Sequence, residues 1–153
     1  MTKGNVYDLY KTLLQLKDYG NVKFKYAILK NIEMLKPHYN SLTTLEENNR
    51  ETVAEFEKER NNLIMQLGKP EQDGTIHVTD DNMQEYSEKL QGLIEKYQQD
   101  ITKYGELMEE FNEILKEDFD EDINLRQIKL DACPDNLTSK DLELLLMCNM
   151  IIE

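Results

Sequence analysis

The sequence predicts a mostly α fold, a long antiparallel helical hairpin of coiled-coil character with a short N-terminal helix, a minor β element and an apolar C-terminal helix. Three observations carry this expectation. Apolar residues recur every seven positions over two long stretches, and one turn-rich stretch, residues 68–80, separates them. The composition, 39% hydrophobic and 32% charged over 153 residues, suits helices that bury one stripe and solvate the rest.

The first element has Leu9, Leu13 and Leu16 at helical spacing behind Asn5, which suits an N-cap with Asp8 at N3. Gly20 suits the left-handed residue that ends it. From Val22 a heptad pattern sets in. Ile28, Leu35, Leu42, Asn49, Phe56 and Leu63 form one column, while Ile32, Tyr39, Val53 and Leu67 form the other, with Glu46 and Arg60 as polar interruptions. A helix is expected over 22–67, kinked or broken near residue 36 because Pro37 removes a donor and crowds the preceding turn, and the seam keeps its phase across Pro37, which favours a kink. Asn49 reads either as a solvated residue where the pair splays or as a buried amide that fixes register, and the first reading is preferred.

Within 68–80, Asp73-Gly74 favours a tight turn and residues 75–78 a short strand. Thr79, Asp80 or Asp81 caps the next helix, expected over 81–118. Met83, Leu90, Tyr97, Tyr104 and Phe111 recur every seven residues there, and Tyr86, Leu93, Leu107 and Ile114 add a second column. A third column, Ile94, Ile101, Met108 and Leu115, widens the stripe beyond what one neighbour covers, and the N-terminal helix is expected to take it. Ile123 to Leu130 reads as extended, a candidate partner for the strand at 75–78. After Pro134, the Thr138-Ser139-Lys140-Asp141 run resembles a capping box and opens a last helix containing Leu142, Leu145, Leu146, Met150 and Ile151. The whole fits a single domain, 1–153, with hairpin helices at 22–67 and 81–118 and a C-terminal segment at 119–153.

The formal net charge of -13 is unevenly spread: residues 1–40 hold seven Lys against three acids, residues 81–122 fourteen acids against four Lys. An acidic body opposes phosphate backbones, so direct nucleic-acid binding is not expected, and a protein partner or self-association into a homo-oligomer is. No membrane association is expected, since Leu142 to Ile152 is too short to span a bilayer. The N-terminus lacks a signal peptide's apolar core, and Cys133 and Cys148 form neither a disulfide framework nor a CxxC. Both features point to the cytoplasm.

Catalytic, cofactor-binding and metal-binding residues are assigned to none. His38 and His77 are far apart, with no Glu-x-x-His pair, and no Walker loop, GxSxG, dinucleotide fingerprint or zinc spacing occurs. The expectation is no enzyme and no cofactor. The candidate partner-binding residues are the apolar Leu142, Leu145, Leu146 and Ile151, and the acidic Glu106, Glu109, Glu110, Glu113 and Glu117. The first set is either docked in its own core or an interface; the second is either a solvated face or a mimic of nucleic-acid phosphates. Lys23, Lys25, Lys30 and Lys36, interleaved with Phe24, Tyr26 and Tyr39, read either as an RNA contact or, the preferred reading, as the complement of the acidic helix within one subunit or between subunits.

The run Lys23-Phe24-Lys25-Tyr26-Ala27-Ile28-Leu29-Lys30-Asn31, the turn Asp73-Gly74-Thr75-Ile76-His77-Val78, and Ile128-Lys129-Leu130 leading through Pro134 to Leu137-Thr138 lie in order along the chain. Together they resemble small acidic helical proteins of unknown function encoded by tailed bacteriophages. The resemblance implies a phage or prophage origin, hence a host cytoplasm, and carries over no enzymatic residues. The function expected is a non-enzymatic interaction protein acting through helical faces, by self-association or by docking on a protein. The alternative is an inhibitor of a host nucleic-acid-targeting defence system in which the acidic helix displaces DNA or RNA.

Overall fold

The computed structural model describes residues 1–153, mostly helical, in two compact units: residues 1–45 with 110–153, and residues 46–109.

The first unit opens with α1 (Lys3–Leu16). Its N-cap is Thr2, one turn earlier than expected, and Asn5 closes the capping box instead of starting the helix. The Asn5 Oδ1 accepts from the Thr2 amide at 2.7 Å, satisfying a donor the helix leaves orphaned. Gly20 adopts the left-handed conformation expected of it, φ 72°, and the Asn21 carboxamide oxygen accepts from the Phe24 amide to start α2 (Val22–Glu51). That helix runs unbroken through Pro37, so the chain does not break near residue 36. Pro37 and Glu33 lie on its exposed side, where water can take the carbonyl that the missing N–H leaves free. Val6, Leu9, Leu13, Phe24, Ile28 and Leu35 fill the core between α1 and α2.

The C-terminal segment completes that core. Ile128–Lys129 (β3) pairs in parallel with Ile151–Ile152 (β4), on either side of α6 (Ser139–Met147). Thr138 and Asp141 form the expected capping box. The helix does not continue to Ile151. Asn149 takes a left-handed φ of 56°, the Met150 amide donates to the Leu145 carbonyl at 2.9 Å, and the Asn149 amide donates to the Leu146 carbonyl at 3.0 Å. This is a Schellman ending with asparagine in the position glycine usually takes, and its hydrophobic contact is supplied by Met150 and Leu145, both fully buried. The turn frees Ile151 to pair with Ile128.

The second unit is the hairpin. The end of α2 leads through a turn at Thr52 and Val53 into α3 (Ala54–Leu67). Gly68–Pro70 (β1) and Ile76–Val78 (β2) pair antiparallel around the Asp73-Gly74 turn, and α4 (Asp80–Lys96) and α5 (Gln98–Lys116) follow. The strand at 76–78 therefore pairs with its near neighbour, not with residues 123–130. The short loop closes at low entropic cost, and β4 has captured residues 128–129. Asn82 bonds the Leu67 carbonyl at 3.0 Å, Tyr97 bonds Glu59 at 2.9 Å, and Asn49 bonds the Leu107 carbonyl at 3.4 Å. As one number falls the other rises, so the helices run antiparallel. Phe56 lies edge-on to Tyr97, ring centroids 6.0 Å apart, as the heptad columns require.

Asn49 is buried, not splayed into solvent, because its amide finds that backbone acceptor across the pair. The hairpin is thinly packed: only Asn49, Val53, Leu63 and Val78 are buried in this unit. Nor does α1 cover the whole third column. It packs at the far end, with Gly4 against Leu115 and Tyr7 edge-on to Phe111 at 6.5 Å, while Ile94 stays exposed.

Candidate interaction surfaces

The C-terminal apolar residues divide between core and surface. Leu145 is fully buried in the middle of the first core, Ile151 is buried in β4, and Leu142 is half-buried against the same cluster. Leu146 and Met147 turn outward, 46% and 54% exposed. Beside them, α1 and α6 leave a cleft of about 450 Å³ in which Thr12, Gln15, Leu144 and Met147 are rimmed by Asp8, Lys11, Lys140 and Glu143. Of the apolar candidates, Leu146 is the one on the surface. The signal that separates it from Leu145 is the 100°-per-residue phase of a helix anchored at Leu145, Cys148 and Leu142.

Glu106, Glu109, Glu110 and Glu113 lie exposed on α5, and Glu117 is exposed just past its end. Glu117 pairs with Lys3, whose ammonium that carboxylate holds above the ordinary lysine value, and Glu113 pairs with Lys116 at 2.6 Å. Glu106, Glu109 and Glu110 have no ion pair. Within one chain the α2 lysines do not pair with them. Lys30 pairs with Glu33 at 2.8 Å on its own helix, and Lys23, Lys25 and Lys36 pair with nothing. The i,i+3 carboxylate lies within a turn of Lys30, closer than any other element can bring one.

One buried polar residue escaped the sequence reading. Asn31 is fully buried, and its side chain clasps the backbone of Arg126: Nδ2 donates to the carbonyl at 3.0 Å and Oδ1 accepts from the amide at 2.7 Å. The clasp positions Arg126 so that its guanidinium sits 4.7 Å over the Tyr26 ring. No local signal marks this, since Asn31 falls outside both heptad columns of α2 and its partner lies 95 residues away.

His38 faces Glu121 at 3.5 Å and stands edge-on to Phe119, beside a small pocket of about 270 Å³ floored by Val6, Leu42, Leu45 and Ile114. His77 is exposed on β2 in the other unit. Burial pushes the Cys148 thiol up to about 11, and burial followed by the Asp131 charge raises that of Cys133, so both are held as poor nucleophiles. No three His, Cys, Asp or Glu side chains converge on a common point, and no helix is long and apolar enough to cross a membrane.

No protein-family model, curated protein or solved structure matches the chain.

Proposed function

We propose that this chain is a non-enzymatic interaction protein that presents helix faces to another protein or to its own kind. The observation that carries the reading is the outward turn of Leu146 and Met147. Helix α6 is already anchored by Leu142, Leu144 and Leu145, with Cys148 and Met150 just beyond it, so Leu146 and Met147 are surplus to the core. Met147 lines the α1–α6 cleft, which gives a partner both an apolar contact and a polar rim, the make-up of protein interfaces. Light scattering and retention of protein from a lysate of the natural host test it. A mass above the 18.1 kDa of one chain, or a retained partner, should be lost in Leu146→Asp with Met147→Asp while the melting temperature holds. A chain that stays at the mass of one copy and retains nothing would sink the reading. Leu145→Asp is no substitute, because it would place a charge in the core.

A second reading has its own support. Glu106, Glu109 and Glu110 stand in solvent without counter-charges, as a mimic of nucleic-acid phosphates needs. Under it the chain is a phage-encoded inhibitor whose α5 occupies the basic groove of a host defence protein. Glu109→Lys, Glu110→Lys and Glu113→Lys together should then abolish a strongly salt-sensitive complex; indifference to the reversal would remove this reading.

A further inference from the structure

From its start to Lys30, the solvent side of α2 has an apolar centre and basic borders; one turn further on, the exposed Glu33 falls on the same line and pairs with Lys30. Val22, Tyr26 and Leu29 follow one another at spacings of four and three, 81%, 48% and 48% exposed. At about 100° per residue, Lys25 and Lys36 fall along one border of that stripe and Lys23 and Lys30 along the other. Arg126, stacked on Tyr26 and held by the Asn31 clasp, extends the second border. Its charge is close enough to oppose protonation of Lys30, although the Glu33 hydrogen bond prevails and raises the lysine. The first turn of α2 contains no acid, so Lys23 and Lys25 add positive charge where the helix dipole is already positive. That placement works against the stability of the fold, and a docked carboxylate would relieve it.

We propose that this face of α2 docks an acidic amphipathic helix of a partner protein, its apolar side chains over Val22, Tyr26 and Leu29 and its carboxylates against the flanking lysines. The assignment rests on the interaction reading above and gives it a partner chemistry. Charge decides among occupants. Two copies of this face would set lysine against lysine, which disfavours a symmetric dimer through it. The acidic run of a second copy offers carboxylates, but its neighbours Leu107, Met108 and Phe111 are half-buried or buried in their own fold. An anionic bilayer or a nucleic acid is an extended charged surface and meets the whole chain, net charge -13. A discrete helix meets only the basic face.

Fluorescence anisotropy of the full chain tests this with a labelled synthetic amphipathic helix, leucines along one face and glutamates on both borders. Saturable binding is expected, weakened about tenfold from low to high salt because exposed charge pairs are screened. Lys23→Glu with Lys25→Glu and Lys36→Glu should abolish it, with a melting temperature unchanged or raised, which separates docking from folding. Tyr26→Ser with Leu29→Ser should weaken it independently of salt. The proposal is overturned by no binding of the peptide, by binding that survives charge reversal, or by equal binding of a lysine-bordered peptide. It also falls if phosphatidylglycerol-containing vesicles or single-stranded RNA occupy the face while the peptide does not, or if charge reversal dissolves a self-assembly of the chain. Absence of peptide binding in a chain that still retains a host protein through Leu146 and Met147 would remove this assignment and leave the interaction reading standing.

Discussion

Removing the Asn31 clasp should cost the fold more than any single apolar contact on its surface. The side chain is fully buried and makes two hydrogen bonds to one backbone unit, at 3.0 and 2.7 Å, joining α2 to a segment 95 residues away. Two such bonds contribute about 1 kcal/mol each, and truncation adds a void, so Asn31→Ala should lose about 2–4 kcal/mol. For a chain of this length that is a fall in melting temperature on the order of 10 °C, readable by denaturant titration and thermal melting. The Arg126 amide should lose its protection from hydrogen exchange in the same variant.

Asn31→Asp sharpens the test. Its carboxylate can still accept from the Arg126 amide, but its second oxygen then faces the Arg126 carbonyl in a buried site. Both effects disfavour the charged form and raise the folded-state pKa above the unfolded value. A group so raised contributes its stability below the unfolded pKa and loses it as pH rises through the folded one. The gap between variant and native protein should therefore be narrow in acid and widest at neutral pH. A melting temperature for Asn31→Ala within about 2 °C of native, or a pH-independent gap for Asn31→Asp, would refute the clasp as a stabilising device.

Other expectations follow from the same geometry. A Cβ at Gly92 or Gly105 would meet open space, so each change to Ala should stabilise the hairpin by about 1 kcal/mol, measured by denaturant midpoint. Asn149→Ala, at a left-handed φ of 56°, should cost about 1–2 kcal/mol, whereas Asn149→Gly should be neutral or better. The Lys96 ammonium and then the Tyr97 hydroxyl hold Glu59 below its ordinary value of 4.5. Its contribution is thus present above that value and lost as pH falls through the lower folded one, so exchange of hairpin amides should rise in acid, and Glu59→Gln should flatten that dependence.

What the sequence showed was periodic, and what it hid was polar and distant. The heptad columns set Phe56 against the later helix, where it meets Tyr97, and Thr138 with Asp141 announced the start of α6, because each is a regularity within a few turns of one helix. The outward Leu146 lay one residue from the buried Leu145, and the unexpected Schellman turn at Asn149 hid the true end of that helix. The polar residues buried inside α2 are both asparagines. Asn49 reads from the sequence as a solvated gap and Asn31 falls outside both heptad columns, yet each is buried by bonding a backbone group, the carbonyl of Leu107 or the amide and carbonyl of Arg126. A backbone partner leaves no trace in residue type, since every position carries the same carbonyl. An uncharged amide within an amphipathic helix is therefore better read as a question about which distant segment crosses there. In this chain the answer at Asn31 also places Arg126 on Tyr26 and completes the basic border of the α2 face.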